Sequence, residues 1–270
     1  MTHPRFALNH MVAPRMHLED FFDLAAKLGI SAVEIRNDLA GKAILDGTEP
    51  AKVRGLASER GLSVLSINAL QLFNEWTAER EKEAKELAIY ARSCGAEALV
   101  LVPVNDGSGR ADGERQTNLR AALKGLQPIL ADAGLVGLVE PLGFSVCSLR
   151  SKREALEAID ELGIGDRFRL VHDTFHHHLA GEPELFPQRT GLVHISGVTE
   201  RAVTVEDMRD AHRVLVDGND RLGNFAQITG LIAGGYDGYF SFEPFADTVH
   251  SLGDPAADLI VSMQHIRAAL

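Results

Sequence analysis

The stretch FRLVHDTFHHHLAGEPELFPQRTGLVHISGV, residues 168–198, contains two short apolar runs, FRLVHDT (168–174) and GLVHISGV (191–198), each closing on polar residues. Runs that are apolar almost throughout describe strands of a parallel sheet covered on both faces, because a half-solvated strand alternates instead. Six more runs share this character: FALNHM (6–11), AVEIR (32–36), SVLSINAL (63–70), ALVLVP (98–103), GLVEPL (137–142) and YFSFEPF (239–245). Between them, LEDFFDLAAKLG (18–29), EREKEAKELAIYARSCG (79–95), NLRAALKGLQPILADAG (118–134), SKREALEAIDELG (151–163) and NFAQITGLIAGG (224–235) place apolar residues three and four apart and close on glycine. That spacing is helical, and glycine is the common residue past a helix end. DPAADLIVSMQHIRAAL (254–270) ends the chain, with Asp254 expected as N-cap and Pro255 at the first helical position. HHHLAGEPELFPQ (176–188) holds two prolines and supports only short helices.

Eight strands alternating with helices over 270 residues point to an α/β chain folded as a (β/α)8 TIM barrel, one domain spanning residues 1–270. A doubly wound dinucleotide fold would want GxGxxG after its first strand, and MVAPRM (11–16) stands there instead.

The composition, 45% hydrophobic and 24% charged, is enough for a large core without disulfides or a structural metal, and it excludes disorder and a coiled-coil rod. Twenty-seven Lys and Arg against 38 Asp and Glu give a net charge of −11, and no basic cluster is dense enough to displace counterions from phosphates. No nucleic-acid partner is expected. Cys94 and Cys147 form neither a CxxC pair nor a disulfide framework, which fits a reducing compartment. The opening MTHPRFALNHMVAPR puts Pro and His where a secretory signal carries an uninterrupted apolar run. No stretch approaches the ~20 apolar residues of a membrane span. The expectation is a cytoplasmic protein without a membrane partner, and a homo-oligomer is compatible with it.

In a barrel of this kind the chemistry sits at the C-terminal strand ends. Strand 5 ends in LVEP with Glu140, strand 6 in LVHD with Asp173, strand 7 in LVHIS with His194 and strand 8 in SFEP with Glu243. Taken singly, each reads as a solvated strand end or a salt bridge. Four on successive strands make a different case, because carboxylates at the ends of apolar strands are costly unless compensated. Three carboxylates and one imidazole do not compensate one another, whereas a divalent cation would. An oxygen-rich set with one nitrogen suits Mn2+ first, with Mg2+, Co2+ or Zn2+ as alternatives, one ion per chain. In the HHH run, His176 lies three residues after Asp173 and looks into the same pocket. His172, beside Asp173, points to the opposite side of its strand and is read as structural.

VEIR (33–36), INALQLFN (67–74), EPLGFSVCSL (140–149), LVHDTFHHHLAG (170–181), LVHIS (192–196), HRVL (212–215) and SFEPF (241–245) follow one another in an order that resembles the xylose-isomerase-like barrel superfamily of sugar isomerases and epimerases. Within it, the likeness is to the inosose (2-keto-myo-inositol) isomerases of bacterial inositol catabolism. The resemblance implies that Glu140, Asp173, His194 and Glu243 bind one divalent metal. It implies that Glu140 and Glu243 transfer protons beside a carbonyl, through an enediolate. His176 and Arg213 are implied to hold substrate oxygens, with Asn68 and Glu34 as weaker carry-overs. The implied partner is a small polyol, a keto-inositol or a ketose. An epimerase of a ketose or keto-inositol, an inosose dehydratase and, more remotely, an apurinic-site endonuclease are the alternatives. RVLVDGNDRLGN (213–224) lacks the Pro-Gly-rich loop usual after the arginine, which bears on substrate identity rather than on the metal set.

Overall fold

The computed structural model describes residues 4–39, 44 and 47–270. Eight strands, β1 (Arg5–Asn9), β2 (Ala32–Arg36), β3 (Ser63–Leu70), β4 (Ala98–Leu101), β5 (Val136–Val139), β6 (Phe168–Asp173), β7 (Thr190–Ile195) and β8 (Tyr239–Phe242), pair in chain order and close into a barrel. Every pair is parallel, including β8 with β1. The (β/α)8 architecture read from the alternation is therefore the observed one.

Helices α1 (Leu18–Lys27), α2 (Pro50–Glu59), α3 (Ala78–Cys94), α4 (Glu114–Ala133), α5 (Lys152–Glu161), α6 (Thr174–Ala180), α7 (Asn224–Ala233), α8 (Asp247–His250) and α9 (Ala256–Ala269) complete the chain. Strand alternation sorts the core into two parts. Ala7, Ala32, Ala98, Val100, Leu138, Val171 and Leu192 pack together inside the barrel. Leu8, Val33, Ile35, Ile67, Leu99 and Phe242 point outward and pack against the helices, with Phe21 and Phe22 of α1 among their fully buried partners. Each such phenylalanine contributes roughly 2–3 kcal/mol on burial. Both cysteines are buried free thiols, and burial pushes the Cys147 thiol up to about 11.

Several boundaries differ from the sequence expectation. β1 stops at Asn9 rather than at residue 11, because the Asn9 side chain accepts the Met11 N–H at 3.0 Å and turns His10–Val12 into a 3-10 helix. α4 begins at Glu114 instead of 118, where the Gln116 side chain accepts the Gly113 N–H at 2.6 Å. α2 carried no clear periodic signal, and it buries only Val53 and Ala57. α9 starts one residue later than expected: Pro255 precedes it, and Asp254 still accepts the Ala256 N–H at 2.9 Å. The short α6 agrees with the two prolines that follow it. No described helix is long and apolar enough to cross a membrane.

Candidate metal centre

Strand register assembles the site. Asp173 lies opposite His194, and His194 opposite Ser241, so the ends of β6, β7 and β8 stand side by side. Glu140 and Glu243 each occupy the first position after their strand, β5 and β8. All four expected ligands are buried, and one donor atom from each lies within 4.8 Å of the others. His194 Nδ1 is the hub, 2.9 Å from Glu140 Oε1, 3.3 Å from Glu243 Oε2 and 4.0 Å from Asp173 Oδ2.

Two of the candidate ligands, Asp173 and His194, are also held from behind. Asp173 is the N-cap of α6: its Oδ1 accepts the N–H groups of Phe175 and His176 at 2.7 and 3.0 Å, leaving Oδ2 for the cluster. An aspartate at an N-cap satisfies otherwise orphaned donors, so one residue ends the strand, starts the helix and presents an oxygen. His194 Nε2 lies 3.2 Å from Glu34 Oε2. That is the outer carboxylate contact that commonly orients a metal-bound imidazole and leaves its other nitrogen to the ion.

Glu34 thereby departs from its expected place. It is fully buried beneath the ligands, where Ser66 donates to it at 2.6 Å and Ser241 and Asn9 also donate, and it is not on the cavity wall. The substrate contact implied for Glu34 is corrected to a support for His194. The other three implied contacts, Asn68, His176 and Arg213, do line the cavity of about 370 Å³ above the cluster. His176 is packed edge-on between Phe144 and Phe175, and its Nδ1 makes no hydrogen bond. Arg213 is 1% exposed and already engaged: Nη2 donates to Asp173 Oδ2 (2.6 Å) and Glu243 Oε2 (3.1 Å), Nε to Ser196 and Nη1 to Asp210.

Arg36 is the site residue that the sequence reading missed. Its Nη1 donates to Glu243 Oε1 at 2.7 Å, while Nε and Nη2 grip Asp38 at 2.8 and 2.6 Å. The signal was present: Arg36 is two residues beyond Glu34 on one strand, and period-two alternation sends both side chains inward. The expectation that the carboxylates lack compensation is corrected with it. Two buried guanidiniums, Arg36 and Arg213, face the four buried carboxylates Glu34, Glu140, Asp173 and Glu243.

Two negative charges remain in that set, and a proton on His194 removes only one. His194 is accordingly held well above its ordinary pKa: burial opposes the charged form, but Glu243, Glu34 and Glu140 outweigh it. Burial pushes the Glu140 carboxyl up. Burial acts on Glu243 the same way, yet His194, Arg213 and Arg36 hold it well below the usual carboxylate range. The donors fit a divalent cation: three carboxylate oxygens converge on one imidazole nitrogen, with a charge deficit that such an ion would cancel. On the opposite face of β6, His172 points into the helical layer, where Lys152 Nζ lies 2.9 Å from His172 Nδ1 and 2.9 Å from His177 Nδ1.

The protein is a closed parallel barrel with a buried Glu-Asp-His-Glu cluster, a candidate metal site, at its C-terminal strand ends. The chain belongs to the xylose isomerase-like TIM barrel family, whose match spans residues 22–269. Among solved structures it is similar to a xylose isomerase domain containing protein from Salmonella typhimurium LT2, at 35% identity and TM-score 0.89, covering 100% of this chain and 97% of that one. It also shares its fold with the IolI protein bearing a zinc atom, at 19% identity and TM-score 0.84, with 98% and 96% of the two chains covered. The 3-keto-D-glucoside 4-epimerase YcjR from E. coli, in its apo form, matches at 19% identity and TM-score 0.73, with 98% and 99% covered. No curated protein matches the chain.

Proposed function

We propose that the protein is a metal-dependent isomerase of keto-inositols, of the 2-keto-myo-inositol isomerase kind, working in the cytoplasm by proton transfer beside a carbonyl. The observation that carries this reading is the convergence of Glu140, Asp173, His194 and Glu243 within 4.8 Å, with Glu140 and Glu243 lining a cavity sized for one small polyol. These four residues would hold one ion, Mn2+ by preference with Zn2+, Mg2+ or Co2+ able to replace it. When bound, it supplies Lewis-acid stabilisation of negative charge on adjacent substrate oxygens.

The chain's own groups do the rest. Asp173 and His194 are ligands fixed from behind by the α6 N-terminus and by Glu34. Glu140 and Glu243 supply the carboxylates beside the reacting carbons, and proton transfer is assigned to this pair. His176 and Asn68 face the cavity to orient substrate hydroxyls, and Arg213 orients substrate oxygens at the edge of the same wall.

The test is a purified, metal-replete sample given 2-keto-myo-inositol and a panel of ketoses in D2O, followed by NMR. Deuterium entry beside the carbonyl, with about one ion per chain by elemental analysis, is the expected result. A sample holding one ion that exchanges no proton in any of these compounds would refute the assignment.

A further inference from the structure

The cavity above the cluster, about 370 Å³, adjoins a second one of about 980 Å³, and Asn105, Phe144 and Asp210 line both. The outer cavity lies between the loops that follow β5 and β7. Ser145 and Val146 come from the first loop, Val205 and Arg209 from the second, and Leu179 of α6 adds to the wall. These walls are fixed. Phe144 and Leu179 pack against the buried cluster of Phe175, Val198, Met208 and Leu222, so Met208 anchors the second loop beside them. Arg150 donates to Gly143 O and Leu179 O and ties the first loop to α6, while Arg209 donates to Glu206 O and Met208 O within the second. A preformed cleft with apolar walls and a few placed polar groups suits a small molecule.

Val146 and Val205 are two of the five exposed large apolar side chains among the described residues, and both stand on this cleft. With Phe144 and Leu179 they offer an apolar surface that the C–H face of a sugar ring can cover. At the junction of the cavities, Asn105 Oδ1 is buried and accepts no hydrogen bond among the described residues, a cost that a ligand hydroxyl would remove. Charge on the outer wall is balanced: Arg150 and Arg209 stand against Glu206 and Asp207, and Asp210 is paired with Arg213. On the inner wall, the guanidiniums of Arg36 and Arg213 are already held by Asp38, Asp173 and Glu243. Neither cavity carries an excess of positive charge for a phosphate or a carboxylate.

Resting on the reaction proposed above for the ring at the cluster, we propose that the substrate has two rings: a keto-polyol in the inner cavity and, joined to it through a glycosidic oxygen, an uncharged sugar ring in the outer one. The occupant follows from continuity. A single keto-polyol ring leaves the apolar side chains of the outer cavity to water. A molecule longer by one ring passes Asn105 and Phe144, which belong to both cavities, and covers Val146 and Val205.

The experiment measures, by calorimetry on the Mn2+-loaded protein, each two-ring ligand against its single ring: galactosyl-myo-inositol against myo-inositol, and maltose and cellobiose against glucose. Saturation-transfer NMR reports which rings touch the protein. Expected is at least one two-ring ligand bound about tenfold or more tightly than its single ring, a modest return for the added non-hydrogen atoms, with saturation reaching both rings. That preference should disappear in Val146→Asp/Val205→Asp and weaken in Asn105→Ala, and myo-inositol monophosphate should bind no more tightly than myo-inositol. No preference for any two-ring ligand, or a preference untouched by the double variant, would overturn the inference, as would tighter binding of the phosphate. Deuterium exchange into 2-keto-myo-inositol keeps the two readings apart. Exchange without a two-ring preference removes this inference and leaves the reaction, whereas the preference without exchange supports the outer site and removes the reaction.

Discussion

Asp173 and His172 are neighbours on β6 that face opposite ways, and the polar clusters they join are opposite in kind. Asp173 looks into the barrel, where four carboxylates outnumber two guanidiniums, and Glu243, Glu34 and Glu140 raise the His194 pKa against burial. His172 looks outward, where burial lowers Lys152 to about 8 and, with the Lys152 charge, lowers His177 to about 4. The inner cluster is short of positive charge. Among the described residues, the outer one carries a buried ammonium hydrogen-bonded to two imidazole rings. Excess charge that points to a ligand is therefore confined to the lumen face. The outer cluster ties α5, β6, α6 and α7 together, since Lys152 joins His172 to His177, His172 also contacts Gln227 at 2.8 Å, and Gln227 donates to Thr174 O and Leu222 O. One strand end joins the candidate metal cluster on one face and a packing network on the other.

Breaking the inner cluster at its hub should have the largest effect. His194→Ala removes the one nitrogen donor and leaves Glu140, Asp173 and Glu243 crowded without it. Metal content after dialysis is expected to fall from about one ion per chain to near zero, because affinity depends on ligand number and type. Undiminished metal in this variant would remove His194 from the ligand set.

The outer cluster should answer differently. Lys152→Met deletes the donor shared by His172 and His177 and is expected to destabilise the fold at pH 7 by about 1–3 kcal/mol, the range for buried acceptors left unpaired. Metal stoichiometry should not change. The folded-state lysine sits near 8 against an ordinary 10.5, so between those values the unfolded chain binds the extra proton. Wild-type stability should thus rise with pH across that window relative to Lys152→Met, by up to about 3 kcal/mol. A parallel pH dependence in the two proteins, measured by urea unfolding, would place the ammonium in a better-solvated site. Loss of metal in the variant would mean that the two faces of β6 are coupled.

The smallest effect expected is the pH dependence of metal affinity itself. In the metal-free protein His194 holds its proton well above the ordinary imidazole range, and a cation must displace that proton to reach Nδ1. Apparent affinity should therefore fall as pH is lowered, by about tenfold per pH unit while a single proton is displaced. Calorimetry in buffers of different ionisation enthalpy should report close to one proton released. Affinity independent of pH would mean that His194 is already neutral without the ion.

The four clustered residues were legible in the chain because each closes an apolar strand, and an apolar run ending in Glu, Asp or His stands out in one dimension. Arg36 and Glu34 were harder, since AVEIR offers two charged residues within a strand and nothing local says which neighbours they meet. Glu34 lies alongside Asn9 in the ladder and reaches His194, a residue 160 positions away, so its role as a support follows only from barrel closure. α2 escaped notice for a related reason: a helix that buries two small apolar residues leaves little periodicity to read.

The sequence by itself determined the alternation of strands and helices, the single barrel and the four polar strand ends, because hydrophobic period and strand termini are local properties of the chain. Tertiary structure decided the rest. Only strand register sets Asp173 beside His194 and brings Arg36 onto Glu243, 207 residues away. Only burial turns those charges into a cluster whose balance calls for a cation. Only the folded hydrogen-bond network gives Glu243 partners on both oxygens and Glu140, among the described residues, a partner on one. The reason is that electrostatic interactions depend on distance and on the exclusion of water, and both are fixed when the barrel closes.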